Sequence, residues 1–126
     1  MPNLGFILIE SIMLSKAHRI SKQSDFSEIY QSRKVVSNQY FRANFDFKAE
    51  NGPLVAVVAS KKVGKANVRN DIRRRVKAAF KNHGLFDVKP LRIVITCKPQ
   101  LADLNKDQLQ RSITALLNDI RVEEIV

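Results

Sequence analysis

Apolar and polar residues alternate along Phe41-Arg42-Ala43-Asn44-Phe45-Asp46-Phe47-Lys48. That period of two predicts a half-buried strand. Upstream the period changes: Phe26, Ile29 and Tyr30 recur at i, i+3 and i+4 and so share one face of a helix. Ser24 stands where it can cap that helix, read over residues 24–32, with Asp25 and Glu28 near the positive N-terminal end. Val35-Val36 reads as a short strand, and Asn51-Gly52-Pro53 as a turn. The run Leu54-Val55-Ala56-Val57-Val58-Ala59 is apolar throughout, which predicts a strand in the middle of a sheet. Leu91-Arg92-Ile93-Val94-Ile95-Thr96 is a further strand, stopped near Pro99, and Asn105 can cap a last helix with the stripe Leu109, Ile113, Leu116 and Leu117.

Between the last two strands the spacing predicts a helix over residues 68–82, ended by His83-Gly84. At ~100° per residue, Val68, Ile72, Val76, Ala79 and Phe80 form one apolar arc. Arg69, Asn70, Arg73, Arg74, Lys77 and Lys81 fill the adjoining arc, and Arg75 falls at the edge of the apolar one. The order of elements is αβββαβα. It predicts a small α+β domain: a two-layer α/β sandwich with helices packed on one sheet, and a β-α-β unit that brings the basic helix against it.

Charge makes that helix the centre of interest. The 126 residues carry a formal net charge of +10. Residues 61–81 hold nine cations (Lys61, Lys62, Lys65, Arg69, Arg73, Arg74, Arg75, Lys77, Lys81) against the single carboxylate of Asp71, so one segment accounts for +8. A solvated helix face usually mixes signs. A concentrated excess of one sign points to a polyanion partner. With 44% apolar residues and only four Gly and four Pro, the chain has the makings of one core and no long linker. The lone Cys97 cannot form an internal disulfide. It reads as a small buried strand residue, and the compartment is expected to be the cytoplasm. Residues 1–12 include the apolar stretch of residues 4–12, which is too short to span a membrane and lacks a signal peptide's flanks. They are expected to be an N-terminal extension open to disorder, with Met13 the natural start and residues 13–126 a single domain whose polyanion partner could be RNA, DNA, an anionic membrane surface or an acidic protein.

Catalytic patterns are missing. Gly64-Lys65-Ala66 lacks the upstream Gly and following Ser/Thr of a phosphate loop, no His pair has metal-ligand spacing, and no Ser or Cys sits in a nucleophile motif. Binding chemistry is present. Arg69, Arg73 and Lys77 repeat every fourth residue, about 6 Å apart along a helix axis, close to the spacing of successive phosphates. Guanidinium forks suit phosphate oxygens. Asn70 adds a donor and an acceptor on the same face, and Lys61, Lys62 and Lys65 lie in the approach to the helix. Phe26 and Tyr30 form a second candidate surface. Rings one turn apart serve either a core or the stacking of unpaired bases, and both readings stand.

The run Ala59-Ser60-Lys61-Lys62-Val63-Gly64-Lys65-Ala66-Asn67-Val68-Arg69-Asn70-Asp71-Ile72-Arg73-Arg74-Arg75-Val76-Lys77 resembles the signature segment of the protein subunit of bacterial ribonuclease P. The portion Met13-Leu14-Ser15-Lys16, Arg19-Ile20, Asp25-Phe26 and Tyr30 is similar to that family's N-terminal part. Two positions depart from the pattern: Asp71 replaces the second Arg of an Arg-Asn-Arg start, and Arg75 replaces an apolar residue. Asp71 can still pair with Arg74 or Arg75.

The resemblance implies a four-stranded mixed sheet with a left-handed β-α-β crossover. It implies that the basic helix faces the catalytic RNA. A cleft between the first helix and the sheet would hold the single-stranded 5′ leader of precursor tRNA, with Phe26 and Tyr30 at its aromatic positions. We assign Arg42 and Asn44 to the same cleft. The chain would then be an accessory subunit: the RNA, with Mg²⁺ bound mainly to it, performs the hydrolysis and leaves a 5′-phosphate. The expected partners are ribonuclease P RNA and precursor tRNA, with no membrane, DNA or small-molecule substrate. The rival readings are a ribosomal or other structural RNA-binding protein, a DNA-binding module and a metal-dependent protein nuclease.

Overall fold

The computed structural model describes residues 19, 20, 22–50 and 52–120. The expectations for residues 1–12 and for Met13 as the start lie outside the described residues. The elements are α1 (Gln23–Gln31), β1 (Val35–Ser37), β2 (Phe41–Asp46), β3 (Leu54–Ala59), α2 (Ala66–Asn82), β4 (Arg92–Cys97) and α3 (Lys106–Asn118), with 3-10 turns at Gly84–Asp87 and Pro99–Asp103. This is the expected αβββαβα order.

The four strands form one mixed sheet in the order β1-β2-β4-β3. β1 and β4 run antiparallel to β2, and β3 runs parallel to β4. β3 therefore lies at an edge, not in the middle as its apolar run suggested. It is apolar because helices cover parts of both its faces. Val55 and Ala59 enter the main core, while Leu54 and Ala56 pack on a second cluster under α1. The two interior positions belong to β2 and β4, and β4 carries a buried arginine, Arg92.

The main core lies between the sheet and the pair α2 and α3. Phe41, Ala43 and Phe45 of β2 and Ile93, Ile95 and Cys97 of β4 meet Ile72, Val76, Ala79 and Phe80 of α2 and Leu109, Ile113, Leu116 and Leu117 of α3. The apolar arc of α2 is buried as expected, except at Val68 in the first turn, which stays 39% exposed. α3 begins at the cap expected at Asn105, whose side chain accepts from the Gln108 amide; the Gln108 side chain in turn accepts from the Asn105 amide and completes a capping box. His83 joins the ends of α2 and α3. Its Nδ1 accepts from the Leu85 amide at 3.1 Å, which leaves Nε2 to donate to Asn118 Oδ1 at 2.7 Å.

α1 lies across part of the opposite face. It starts at Gln23, with Lys22 in the cap position and no side-chain cap bond. The expected Ser24 cap is thus incorrect, because the cap position falls two residues earlier and Ser24 lies in the first turn. Ile29 is fully buried against Ile20 and Val94. The half-buried reading of β2 also needs correction. Asn44 and Asp46 are only 3% and 2% exposed, because the cover on this side hides its polar positions too.

Candidate nucleic-acid interface

β3 ends at Ala59, and the chain turns through residues 61–63 into α2. Lys61, Lys62 and Lys65 are exposed on this approach. Val63 is buried to 1% and pins the turn to the core. Lys65 occupies the N-cap position without a side-chain bond, and the first turn of α2 holds no acidic residue. The positive end of the helix dipole is therefore not offset by a local carboxylate.

The cations of α2 differ in how they are held. Arg73 donates from Nη1 to Asn70 Oδ1 at 2.9 Å and from Nη2 to the Ala59 carbonyl at 3.2 Å. Its guanidinium is fixed beside the end of β3 by neutral acceptors, so its charge is not compensated there. Arg69 is half-buried, and its Nε is shielded without a hydrogen-bond partner, an uncompensated donor of the kind that costs about 1–3 kcal/mol. Arg74 and Arg75 both pair with Asp71, through Nη2–Oδ1 at 2.5 Å and Nε–Oδ2 at 2.8 Å. The hydrogen bonds from Arg75 and then Arg74 hold the Asp71 carboxyl below the usual carboxylate range. Arg74 remains 49% exposed. Asn70 is exposed and Lys77 half-buried. Asp71 thus sits among the cations of the expected ridge from Lys61 to Lys77.

Asp71 offsets one charge where an RNA strand would meet several. Asp71→Asn is expected to raise affinity for a structured RNA about threefold to tenfold at low salt, with the gain shrinking as salt rises. Fluorescence anisotropy at two salt concentrations measures this.

The second surface is the part of the sheet that α1 leaves open. Residues two apart on a strand share a face, and the register aligns Ser37, Arg42, Thr96 and Val58 in one row and Asn44, Val94 and Ala56 in the next. Arg42 and Val58 are exposed, whereas Asn44 forms part of the buried floor. The rings of Phe26 and Tyr30 stack with centroids 6.5 Å apart and planes 27° from parallel. The two open readings of this pair divide between its members. Phe26 packs on the Ile20, Ile29 and Val94 cluster, and Tyr30 is 48% exposed. The outer row ends at β3 just before Lys61 and Lys62, so the two surfaces adjoin.

Among the described residues no group of three or more His, Cys, Asp or Glu is placed to hold a metal ion, and no helix is long and apolar enough to cross a membrane. Cys97 is 4% exposed, and burial pushes its thiol up to about 12 against a smaller opposing effect of the Arg73 charge. A raised thiol pKa means the unfolded chain ionises first, so this group's contribution to stability is complete below about pH 9 and is lost as pH climbs towards 12. The native thiol is expected to ignore a disulfide reagent at pH 8 and to react once denatured, which a colorimetric thiol titration measures.

One feature escaped the sequence reading. Arg92, 4% exposed in an interior strand, binds three carboxylates, those of Asp46, Asp25 and Glu28. A charged residue inside the apolar run of residues 91–95 was the available signal, since a buried arginine requires acidic partners.

A family model described as Ribonuclease P matches residues 14–121. The ribonuclease P protein component of Macrococcus caseolyticus is 32% identical over 101 residues, covering 79% of this chain and 87% of that one. The same component of Staphylococcus epidermidis is 34% identical over 113 residues, covering 86% and 95%. Among solved structures, the RNase P protein of Staphylococcus aureus superposes with a TM-score of 0.71 at 26% identity, covering 83% of this chain and 98% of that one. The RNase P protein of Thermotoga maritima gives 0.70 at 26%, covering 82% and 97%.

Proposed function

Because this chain belongs to the ribonuclease P protein family, we propose that it binds the catalytic RNA through α2 and the 5′ leader of precursor tRNA through the open sheet face. The observation that carries this reading is the adjacency of two unlike surfaces. One is a cationic ridge in which Arg73 is held by neutral acceptors and the Arg69 Nε has no hydrogen-bond partner. The other is a strip with an exposed aromatic ring and a single arginine, Arg42.

The ridge suits a folded RNA with closely spaced phosphates. Cations there screen repulsion between enzyme RNA and substrate, and thereby help the RNA retain its Mg²⁺. The ion supplies nucleophile activation and charge stabilisation at the scissile phosphate when bound to the RNA. The protein's own residues bind, orient and screen. The strip suits an unpaired strand: Tyr30 offers a ring for one base, and Arg42 offers a fork for its phosphate. Mature tRNA lacks the leader, so contacts made there favour substrate over product. The reaction served is removal of the leader to leave a 5′-phosphate, in the cytoplasm.

Reconstitution tests this. With ribonuclease P RNA at low millimolar Mg²⁺, the chain is expected to increase cleavage of precursor tRNA, and the chain alone is expected to cut nothing. Tight RNA binding without stimulation would indicate a structural RNA-binding protein. Cleavage by the protein alone would indicate a nuclease site in the chain.

A further inference from the structure

α1 has nine residues, too few to be stable alone, and it meets the sheet along a narrow keel. At ~100° per residue, Asp25 and Glu28 lie on one flank of the buried Ile29, and Phe26 and Tyr30 on the other. Both ends of the helix are tied. Before it, the Ile20 amide donates to the Val55 carbonyl at 3.2 Å. After it, Ser32 Oγ donates to the Phe45 carbonyl at 2.7 Å. These ties fix where α1 lies, but neither fixes its rotation about its own axis.

Arg92 supplies what the end ties lack. Its Nε and Nη2 make a two-pronged contact with Asp46, directly across the β2–β4 pair, at 2.8 and 2.7 Å. Nη1 reaches up to α1, at 3.1 Å from Asp25 Oδ1 and 2.9 Å from Glu28 Oε1. The hydrogen bonds it donates to Asp46 raise the arginine's pKa further above its ordinary value, so it is a permanent cation. On this flank a cleft of about 400 Å³ opens, lined in part by Lys22, Asp25, Glu28, Lys48 and Arg92. Packing does not close it, and the ion pairs hold the helix there.

We propose that Arg92 is a positioning residue that sets the rotation of α1 through Asp25 and Glu28, and with it the placement of the Tyr30 ring beside the open sheet face. The arginine touches no RNA. It acts through the opposite flank of the helix, so a change on the acidic side is read out on the aromatic side. This rests on the proposal that the open face takes the leader.

Arg92→Ala would strand Asp46 in the interior and unfold the chain, so the test spares the Arg92–Asp46 pair. In Asp25→Ala/Glu28→Ala, both replaced side chains are partly exposed (25% and 60%), and alanine favours the helix. The reconstituted holoenzyme is assayed for affinity ratio between precursor tRNA with a long leader and mature tRNA. Because both RNAs feel the two removed charges, the ratio cancels any uniform gain in attraction. The expected result is a fall of about tenfold in this ratio, the size of one base-stacking contact. Affinity for ribonuclease P RNA should stay within about twofold, and the double change should add little to Tyr30→Ala, because both act on one ring. An unchanged or increased ratio, an equal fall in affinity for ribonuclease P RNA, or full additivity with Tyr30→Ala overturns the proposal. If Tyr30→Ala itself leaves the ratio intact, the leader-face reading fails on that variant alone.

Discussion

Arg69→Ala/Arg73→Ala is expected to lower affinity for ribonuclease P RNA about 100-fold at low salt while leaving the fold intact. Hydrogen bonds to charged groups contribute about 1.5–3 kcal/mol each, and ~1.4 kcal/mol is tenfold in affinity. Both residues sit on the polar side of α2. Arg73 rests on Asn70 and the Ala59 carbonyl, and the Arg69 Nε has no partner to lose. Little stability is therefore expected to depend on them. The salt dependence should flatten by about one unit of log–log slope per removed phosphate contact. Arg74→Ala is expected to do less, because Asp71 already holds that guanidinium at 2.5 Å. Filter binding across a salt series, with circular dichroism as the control for folding, measures both variants.

Tyr30→Ala is expected to reduce the preference for precursor over mature tRNA about tenfold, with affinity for mature tRNA unchanged. A stacked base is worth about 1–3 kcal/mol, and Tyr30, 48% exposed, has the ring available. The removal should matter only for substrates whose leader is long enough to reach the ring, so the preference should become independent of leader length. Phe26→Ala would be a poorer probe. That ring packs on the Ile20, Ile29 and Val94 cluster, and its loss is expected to lower stability by about 2 kcal/mol. A leader-length series measured with both variants separates the two roles.

The residues that were legible in the sequence are those whose signal is local. Asn105 with Gln108 three positions on specifies a helix start through bonds within four residues, and the cap is there. The arc from Ile72 to Phe80 and the cationic arc beside it follow from helical periodicity alone, and α2 buries the one and presents the other. Tertiary cover was not legible. The alternation in β2 located the strand but could not reveal that Asn44 and Asp46 are roofed over. The apolar run of β3 records helices near both its faces, which is the same pattern that two neighbouring strands would leave. The place of Arg92 was not legible either: it lies buried in an interior strand because three carboxylates from distant segments converge on it. For the aromatic pair, spacing placed both rings on one face without saying which would be covered. The structure divides them, since Phe26 lies nearer the buried Ile29 around the helix than Tyr30 does.

The salt dependence of binding to ribonuclease P RNA tests most directly whether the ridge from Lys61 to Lys77 meets RNA phosphates. With five to seven cations in contact, the logarithm of affinity is predicted to fall against the logarithm of salt concentration with a slope of roughly −4 to −6. A slope near zero, or binding too weak to measure at low salt, would contradict the account.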